Sequence, residues 1–384
     1  RFIDFYKDWY RPDLTAVIAV GDFKKDDIEK LIKKHFAGIQ APAKIKPREE
    51  YPIPGNKEPK VSIFQDKEMS MTQISVMWKH PGRANGTYGS YRANLVDNLA
   101  EIMLSLRMQE KSRDAKPPFL YAGAGSGEFL AGLRAFNVIS VPKEDDIMTG
   151  YEAALTEAYR AHKHGFTKGE LEVAKKQVMR GIESSLAEKD KTESSTYASE
   201  YYRNYYEGEA FPGIEVEAEL YKEYVPAITL EEINKVMKSY MTEENMIITV
   251  TAPEKEGLKL PSEQEFLASL NKVKNSTIEP YADFSSDKPL MTKKPKAGKI
   301  TAKKENKEFG IHEWTLSNGA KVILKPTDFQ NDEVLFKAWS LGGTSLASDD
   351  VFASARFADN IIDEAGLSDY TANQLQKMLA GKQC

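Results

Sequence analysis

Two stretches that cannot join a core divide this chain and limit what it can fold into. Residues 41–59 carry Pro42, Pro47, Pro52, Pro54 and Pro59, and a proline every few residues blocks both helix and ladder. Residues 274–309 are the second break: eight lysines fall between Lys288 and Lys307, with little apolar content, and a charged run of this kind reads as a solvated tether. The functional reading would be an anionic-ligand patch, but no aromatics interleave with those lysines, which favours the tether. Three blocks remain: 1–40, 60–273 and 310–384.

The middle block has the length of a complete domain. Its pattern begins with alternating strands at 60–65 and 72–78. A long helix over 90–110 follows, with Leu95, Leu99, Ile102, Met103 and Leu106 on one face. Next come an extended glycine-rich stretch at 119–129 and a strand at 135–141. Helices at 145–164, 168–188, 194–207 and 230–240 precede a strand at 246–251 and a helix at 262–270. The outer blocks read as pieces of the same plan. In 1–40 a helix containing Phe5-Tyr6-Lys7 leads to a strand at 15–20 and a charged helix. The middle block ends in the same order, with Ser239-Tyr240, a strand and a charged helix, which suggests an internal repeat of roughly two hundred residues. In 310–384, strands on either side of Asn318-Gly319 form a hairpin whose type I′ turn would need two positive φ angles. A strand at 333–340 and a helix at 351–364, capped by Asp349-Asp350, follow, then a helix at 369–379. Both ends are expected to be cuts through a longer chain. The fold class expected is α+β: repeated sandwich domains, each a mixed, mainly antiparallel sheet with helices on one face.

Composition narrows the function. The chain has 53 basic and 58 acidic residues, net −5, so no basic excess exists to hold a phosphate backbone. No apolar run approaches the ~18 residues of a spanning helix. One cysteine, Cys384, excludes an internal disulfide framework and a multi-cysteine metal site. Of the five histidines only His162 and His164 are close in sequence, and i, i+2 positions on a helix point apart. Gly123-Ala124-Gly125-Ser126-Gly127 lacks the spacing and the lysine of a nucleotide loop. No G-x-S-x-G elbow is present, and the paired carboxylates Asp145-Asp146 and Glu231-Glu232 sit at helix starts, where capping accounts for them.

The hairpin Leu316-Ser317-Asn318-Gly319-Ala320-Lys321-Val322-Ile323-Leu324, followed by Ser340-Leu341-Gly342-Gly343-Thr344-Ser345, resembles the opening of a pitrilysin/insulinase-type zinc peptidase domain. Phe5-Tyr6-Lys7 through Tyr10-Arg11-Pro12, with Ala16-Val17-Ile18-Ala19-Val20-Gly21-Asp22, is similar to the last third of that domain. Leu104-Ser105-Leu106-Arg107 leading to Tyr121 resembles the family's L-R…Y segment, with a longer loop between. Tyr205-Tyr206-Glu207-Gly208-Glu209 and residues 226–233 resemble its later helices.

The resemblance implies four homologous domains, or two that dimerise, paired around a closed chamber. This chain would hold the end of the first domain (1–40), a complete second, inactive domain (60–273) and the start of a third (310–384). Where the family's inverted zinc motif H-x-x-E-H belongs, Arg356, Asp359 and Asn360 stand instead, so that copy looks degenerate. Zinc is implied for the longer chain and none for this segment, which is expected to cleave nothing. Its implied work is to handle a peptide or unfolded protein substrate. Gly123, Gly125 and Gly127 would open a strand edge to an extended peptide, although strand glycines equally mark a tight bend. Arg107 and Tyr121 match a pair that binds a substrate carbonyl in the family's last domain, or they are structural here. The other partners implied are the remaining domains of the longer chain, and the compartment implied is periplasmic or exported in a bacterium. A non-catalytic scaffold or peptide-binding homologue is the alternative, decided by whether an upstream domain keeps H-x-x-E-H.

Overall fold

The computed structural model describes all residues except 50, 131, 284–288, 292 and 383–384. Cys384 and part of the lysine-rich stretch therefore lie outside the described residues. The chain divides into two compact units, Arg1–Met179 with Thr192–Asp283, and Arg180–Lys191 with Phe284–Cys384.

The first unit begins with α1 (Phe2–Trp9) and α2 (Lys25–Phe36). Between them residues 15–20, expected as a strand, run without a ladder partner, and Val17 and Ile18 stay exposed. β-branched propensity extends a backbone, but only a neighbouring strand makes it a sheet member. The unit continues with β1 (Lys60–Asp66), β2 (Gln73–Pro81), α3 (Tyr88–Ser112), β3 (Phe119–Leu130), β4 (Leu133–Pro142), α4 (Ile147–His164) and α5 (Lys168–Ala187), whose last turns from Arg180 belong to the second unit. It closes with α6 (Ser194–Glu207), α7 (Ile214–Ala227), α8 (Leu230–Tyr240), β5 (Met246–Pro253) and α9 (Glu263–Asn275). Helix α7, with Pro226 in its last turn, has no counterpart in the sequence reading.

The five strands are ordered β1-β5-β2-β4-β3, with β1 parallel to β5 and the other pairs antiparallel. Alternation sets the two faces. Ile74, Val76 and Trp78 of β2 and Met246, Ile248 and Val250 of β5 are buried, while Ser75, Met77, Ile247 and Thr249 between them are only half-buried. The buried face packs on α3, α4, α8 and α9 through Leu99, Met103, Leu155, Met237 and Phe266. Among the described residues of this unit, four helix starts carry a capping box: Thr87 with Ser90, Thr167 with Glu170, Thr229 with Glu232 and Ser262 with Glu265. Asp146 caps α4 by accepting from the Thr149 amide, and Glu232 belongs to such a box, in line with the capping account of the paired acids.

In the second unit β6 (Ile300–Asn306), β7 (Ile311–Leu316) and β8 (Lys321–Leu324) form an antiparallel sheet in that order. β6 lies inside the stretch read as a tether. Its charged sequence has no apolar period, and its ladder is made by backbone pairing with β7, with Lys303 over the Trp314 ring at 5.6 Å. The hairpin forms, but only Gly319 has positive φ (+85°). The Gly319 amide donates to the Leu316 carbonyl (2.9 Å), and the Leu316 amide to that of Ala320 (2.8 Å). This is the three-residue loop with one left-handed residue, in place of the expected type I′ turn. Residues 333–340, expected as a strand, are unpaired, and Val334, Leu335 and Phe336 are about as exposed as side chains become, at 92%, 86% and 88%. The helix expected at 351–364 is two: α10 (Phe352–Arg356) and α11 (Ala358–Ala365), broken at Phe357 (φ −99°, ψ 1°). No side chain caps α10, so Asp349-Asp350 do not act as expected. With Phe352, Phe357 and Ile361 exposed, no second layer covers their stripe, and tertiary packing is what normally holds a helix of this length continuous. α12 (Ala372–Met378) follows, with its own capping box of Thr371 and Gln374.

Candidate functional site

The glycine-rich segment is the edge strand of the first unit's sheet, paired with β4 on one side alone. Its residues alternate in role. Ser126 and Ala124 contact α3: the Ser126 hydroxyl donates to Glu101, and Ala124 is bonded by Ser105. The intervening Gly123, Gly125 and Gly127 leave the other face bare. A groove of about 320 Å³ lies there, floored by the glycines with Asn137 and Ile139 of β4, and bounded by Tyr121 and Phe129. A Cβ at Gly125 or Gly127 would meet nothing within 4 Å. Neither has positive φ, so these two glycines are there for openness rather than for a bend. Gly123 differs: a Cβ there would stand 2.7 Å from the Tyr121 hydroxyl, so the tyrosine ring lies across the strand at that point.

A second cavity, of about 350 Å³, flanks the same strand beside α3, lined by Ile102, Ser105, Leu106, Gln109, Tyr121 and Ala122 among others. Tyr121 is exposed and lines both spaces. At the far end of β3 a polar cavity of about 290 Å³ brings together Arg83, Asp97, Glu101, Ser126, Glu128 and Arg134. Asp97 is buried and accepts from Arg83 (2.8 Å) and Arg134 (2.9 Å). The Ser126 hydroxyl is also 3.0 Å from that of Tyr240, which stacks on Phe136 at 4.6 Å. Burial pushes the Glu101 carboxyl up to about 7, and the Asp97 charge adds to this against the Ser126 hydrogen bond.

Arg107 does not belong with these groups. Its side chain is 1% exposed and makes a two-point ion pair with Glu170, Nε to Oε1 at 2.6 Å and Nη2 to Oε2 at 2.9 Å. It also donates to the Gly165 carbonyl (3.0 Å) and lies between the rings of Phe166 (4.7 Å) and Tyr281 (4.4 Å). A side chain so enclosed cannot reach a peptide, so the substrate-binding expectation for Arg107 is corrected. It ties α3 to α5 and to the segment after α9. His164 serves the same segment, its ring nitrogen 2.7 Å from the Ile278 carbonyl.

In the second unit Arg356 ends α10, while Asp359 and Asn360 are in α11 beyond the break at Phe357. A guanidinium offers no lone pair to a metal, and a carboxamide is a poor zinc donor, so this donor set does not fit zinc. Among the described residues no three His, Cys, Asp or Glu side chains gather into a metal-binding group, and no helix is long and apolar enough to cross a membrane.

Sequence reasoning missed Glu101, Ser105, Asn137 and Ile139 as residues of the site. The signal available was spacing, since Glu101 and Ser105 are four apart on α3 and so share a face.

The family signature of the peptidase M16 inactive domain matches residues 1–178. The Zinc protease PQQL-like of Arabidopsis thaliana is 28% identical over 98% of this chain and 36% of its own length. The Probable zinc protease PqqL of Haemophilus influenzae is 22% identical over 99% of this chain and 41% of its own. The chain thus spans about two fifths of the length of these relatives. Among solved structures, the periplasmic protease PqqL from Escherichia coli matches with a TM-score of 0.63 at 18% identity, over 98% of this chain and 42% of that one. The ferredoxin protease FusC, solved with Arabidopsis ferredoxin, gives 0.58 at 16% identity over 98% and 42%. The mixed sheet with helices packed on one face agrees with these folds. Residues 1–178 thus match the inactive domain of M16 peptidases, and the chain as a whole is similar to pitrilysin/insulinase-type, or M16, zinc proteases.

Proposed function

We propose that this chain is the substrate-handling part of a longer zinc endopeptidase, and that its β3 edge holds peptides in extended form while another domain cleaves them. The observation that carries the reading is the glycine floor on an edge strand, bare at Gly125 and Gly127 and covered by the Tyr121 ring at Gly123, with Phe129 at its other end. An extended segment laid beside β3 would gain main-chain hydrogen bonds and seat alternate side chains over the groove. Residues 60–273 would be the complete, inactive domain, with 1–40 and 310–384 completed by other parts of the longer chain. The zinc, its water and its general base would be supplied there; Arg356, Asp359 and Asn360 supply none of this. The compartment proposed is periplasmic, by analogy with the solved PqqL structure.

The test is peptide binding by the 384-residue chain, followed as fluorescence anisotropy of a fluorescein-labelled ten-residue peptide of alternating valine and threonine with a lysine at each end. Gly125→Val and Gly127→Val place side chains in open space, so the fold should survive while affinity falls roughly tenfold, as for a blocked contact at the centre of an interface. Unchanged affinity in both variants would remove the glycine floor from the site. The second reading, a non-catalytic peptide-binding homologue, draws on the non-ligating set at Arg356 and Asn360. Peptidase activity of the full-length protein, lost on chelation and restored by zinc, would exclude it.

A further inference from the structure

An antiparallel edge strand presents its outward N–H and C=O groups in pairs, one residue in two. In β3 the central pair belongs to Ala124, and it is already taken. The Ser105 hydroxyl accepts from the Ala124 amide at 3.1 Å and donates to the Ala124 carbonyl at 3.3 Å. One hydroxyl thus makes both bonds that a residue of an added strand would make. By the two-residue period, Ala122 and Ser126 present their backbone the same way on either side. The Tyr121 hydroxyl crowds the same place: it and the Ser105 hydroxyl would stand 2.7 and 3.8 Å from a Cβ at Gly123. The cavity beside α3 that Ser105 and Tyr121 both line leaves room for a chain to approach the edge.

We propose that Ser105 is a built-in competitor for the β3 edge, a hydroxyl that satisfies the strand in its empty state and must be displaced before an extended peptide can pair there. This rests on the peptide-holding reading above and adds its regulation. Exposed edges invite pairing with any extended chain, and proteins blunt them. A side chain that occupies the central pair does so reversibly. It leaves the edge usable by a segment making several main-chain bonds and closed to chance contacts that make one or two. The hydroxyl costs the complex whatever it contributes to the empty state, because on displacement it must turn to water while the peptide takes over its two bonds.

The experiment compares the wild-type chain with Ser105→Ala and Ser105→Thr, using the valine–threonine peptide above and hydrogen exchange at the Ala124 amide. Ser105→Ala is expected to bind the peptide roughly threefold to tenfold more tightly, the worth of one net hydrogen bond. Its Ala124 amide is expected to exchange faster than wild type in the free protein and to regain protection on peptide binding. Ser105→Thr keeps a hydroxyl and is expected to behave as wild type, which separates the competitor from a mere change of helix surface. Equal or weaker binding by Ser105→Ala, with wild type binding, overturns the competitor and leaves the peptide platform standing. Binding by neither protein overturns the platform itself, while Ala124 exchange alone then reports whether the hydroxyl protects the edge.

Discussion

The two units of this chain use the same patterning to different ends. In the first, alternation along β2 and β5 buries Ile74, Val76, Trp78, Ile248 and Val250 against four helices. In the second, Ile323 of β8 and Val334, Leu335, Phe336 and Trp339 after it remain exposed. The residue types hardly differ. What differs is a second layer, since a sheet or helix stripe is stabilised only by what covers it. Apolar periodicity records the intent to bury, and burial depends on a partner that the periodicity does not supply.

The largest effects should come from the interior of the first unit. Arg107→Met leaves Glu170 charged and enclosed, at a cost of about 3–5 kcal/mol. The double variant Arg107→Met, Glu170→Leu should regain most of this and bind peptide as wild type does. A double variant that folds but has lost the peptide would return Arg107 to the binding site. Next in size, Leu99→Ala removes a fully buried side chain and should cost about 2–5 kcal/mol. Leu335→Ala in the second unit should stay within about 0.5 kcal/mol. Urea titrations followed by circular dichroism would measure both, and a cost at Leu335 near that at Leu99 would mean that the second unit has a covered core after all.

Much of the first unit was legible because its information is local. Amphipathic spacing marks α3, alternation marks β1 and β2, and the paired acids Glu231-Glu232 mark a helix start. Local information fails wherever an element depends on a distant neighbour. Residues 15–20 and 333–340 have the propensity of strands and no ladder. β6 has a ladder and no propensity, because backbone pairing with β7 is indifferent to its lysines. At the site, the glycines of β3 were readable as residues. Their position at a sheet edge was expected from the resemblance alone, since strand order is set by pairings across the chain. Ser105 and Glu101 became visible only as contacts of β3, and Arg107, assigned by resemblance, turned out to be enclosed by residues as far away as Tyr281.

The same distinction governs pH. Glu101 is held near 7 by burial, above the ordinary carboxylate range. Between about pH 4.5 and 7 the unfolded chain releases this proton while the folded first unit keeps it, so stability falls as pH rises through that window. Glu101→Gln should therefore match wild type at pH 4 and be more stable at pH 8 by about 1–2 kcal/mol, less than the full shift implies because the group is only partly enclosed. Thermal unfolding at the two pH values measures it. A parallel offset at both would assign the effect to packing rather than to the proton.

The smallest test sets two glycines against each other. Gly132, before β4, has φ +76°, and Gly319, before β8, has φ +85°. A Cβ at either would meet no atom within 4 Å, so alanine costs each position backbone strain alone, about 1–2 kcal/mol. Equal strain should be distributed unequally. In the first unit a shared core couples the elements, so Gly132→Ala should speed amide exchange throughout its slowest residues, including Ile248 and Val250. In the second unit little apolar contact connects the hairpin to α10, α11 and α12. Gly319→Ala should therefore speed exchange within β7 and β8, by roughly fivefold to thirtyfold, and leave those helices unchanged. Acceleration that spread to α12 would show the second unit unfolding as one body. Its exposed apolar residues would then be no measure of its cooperativity.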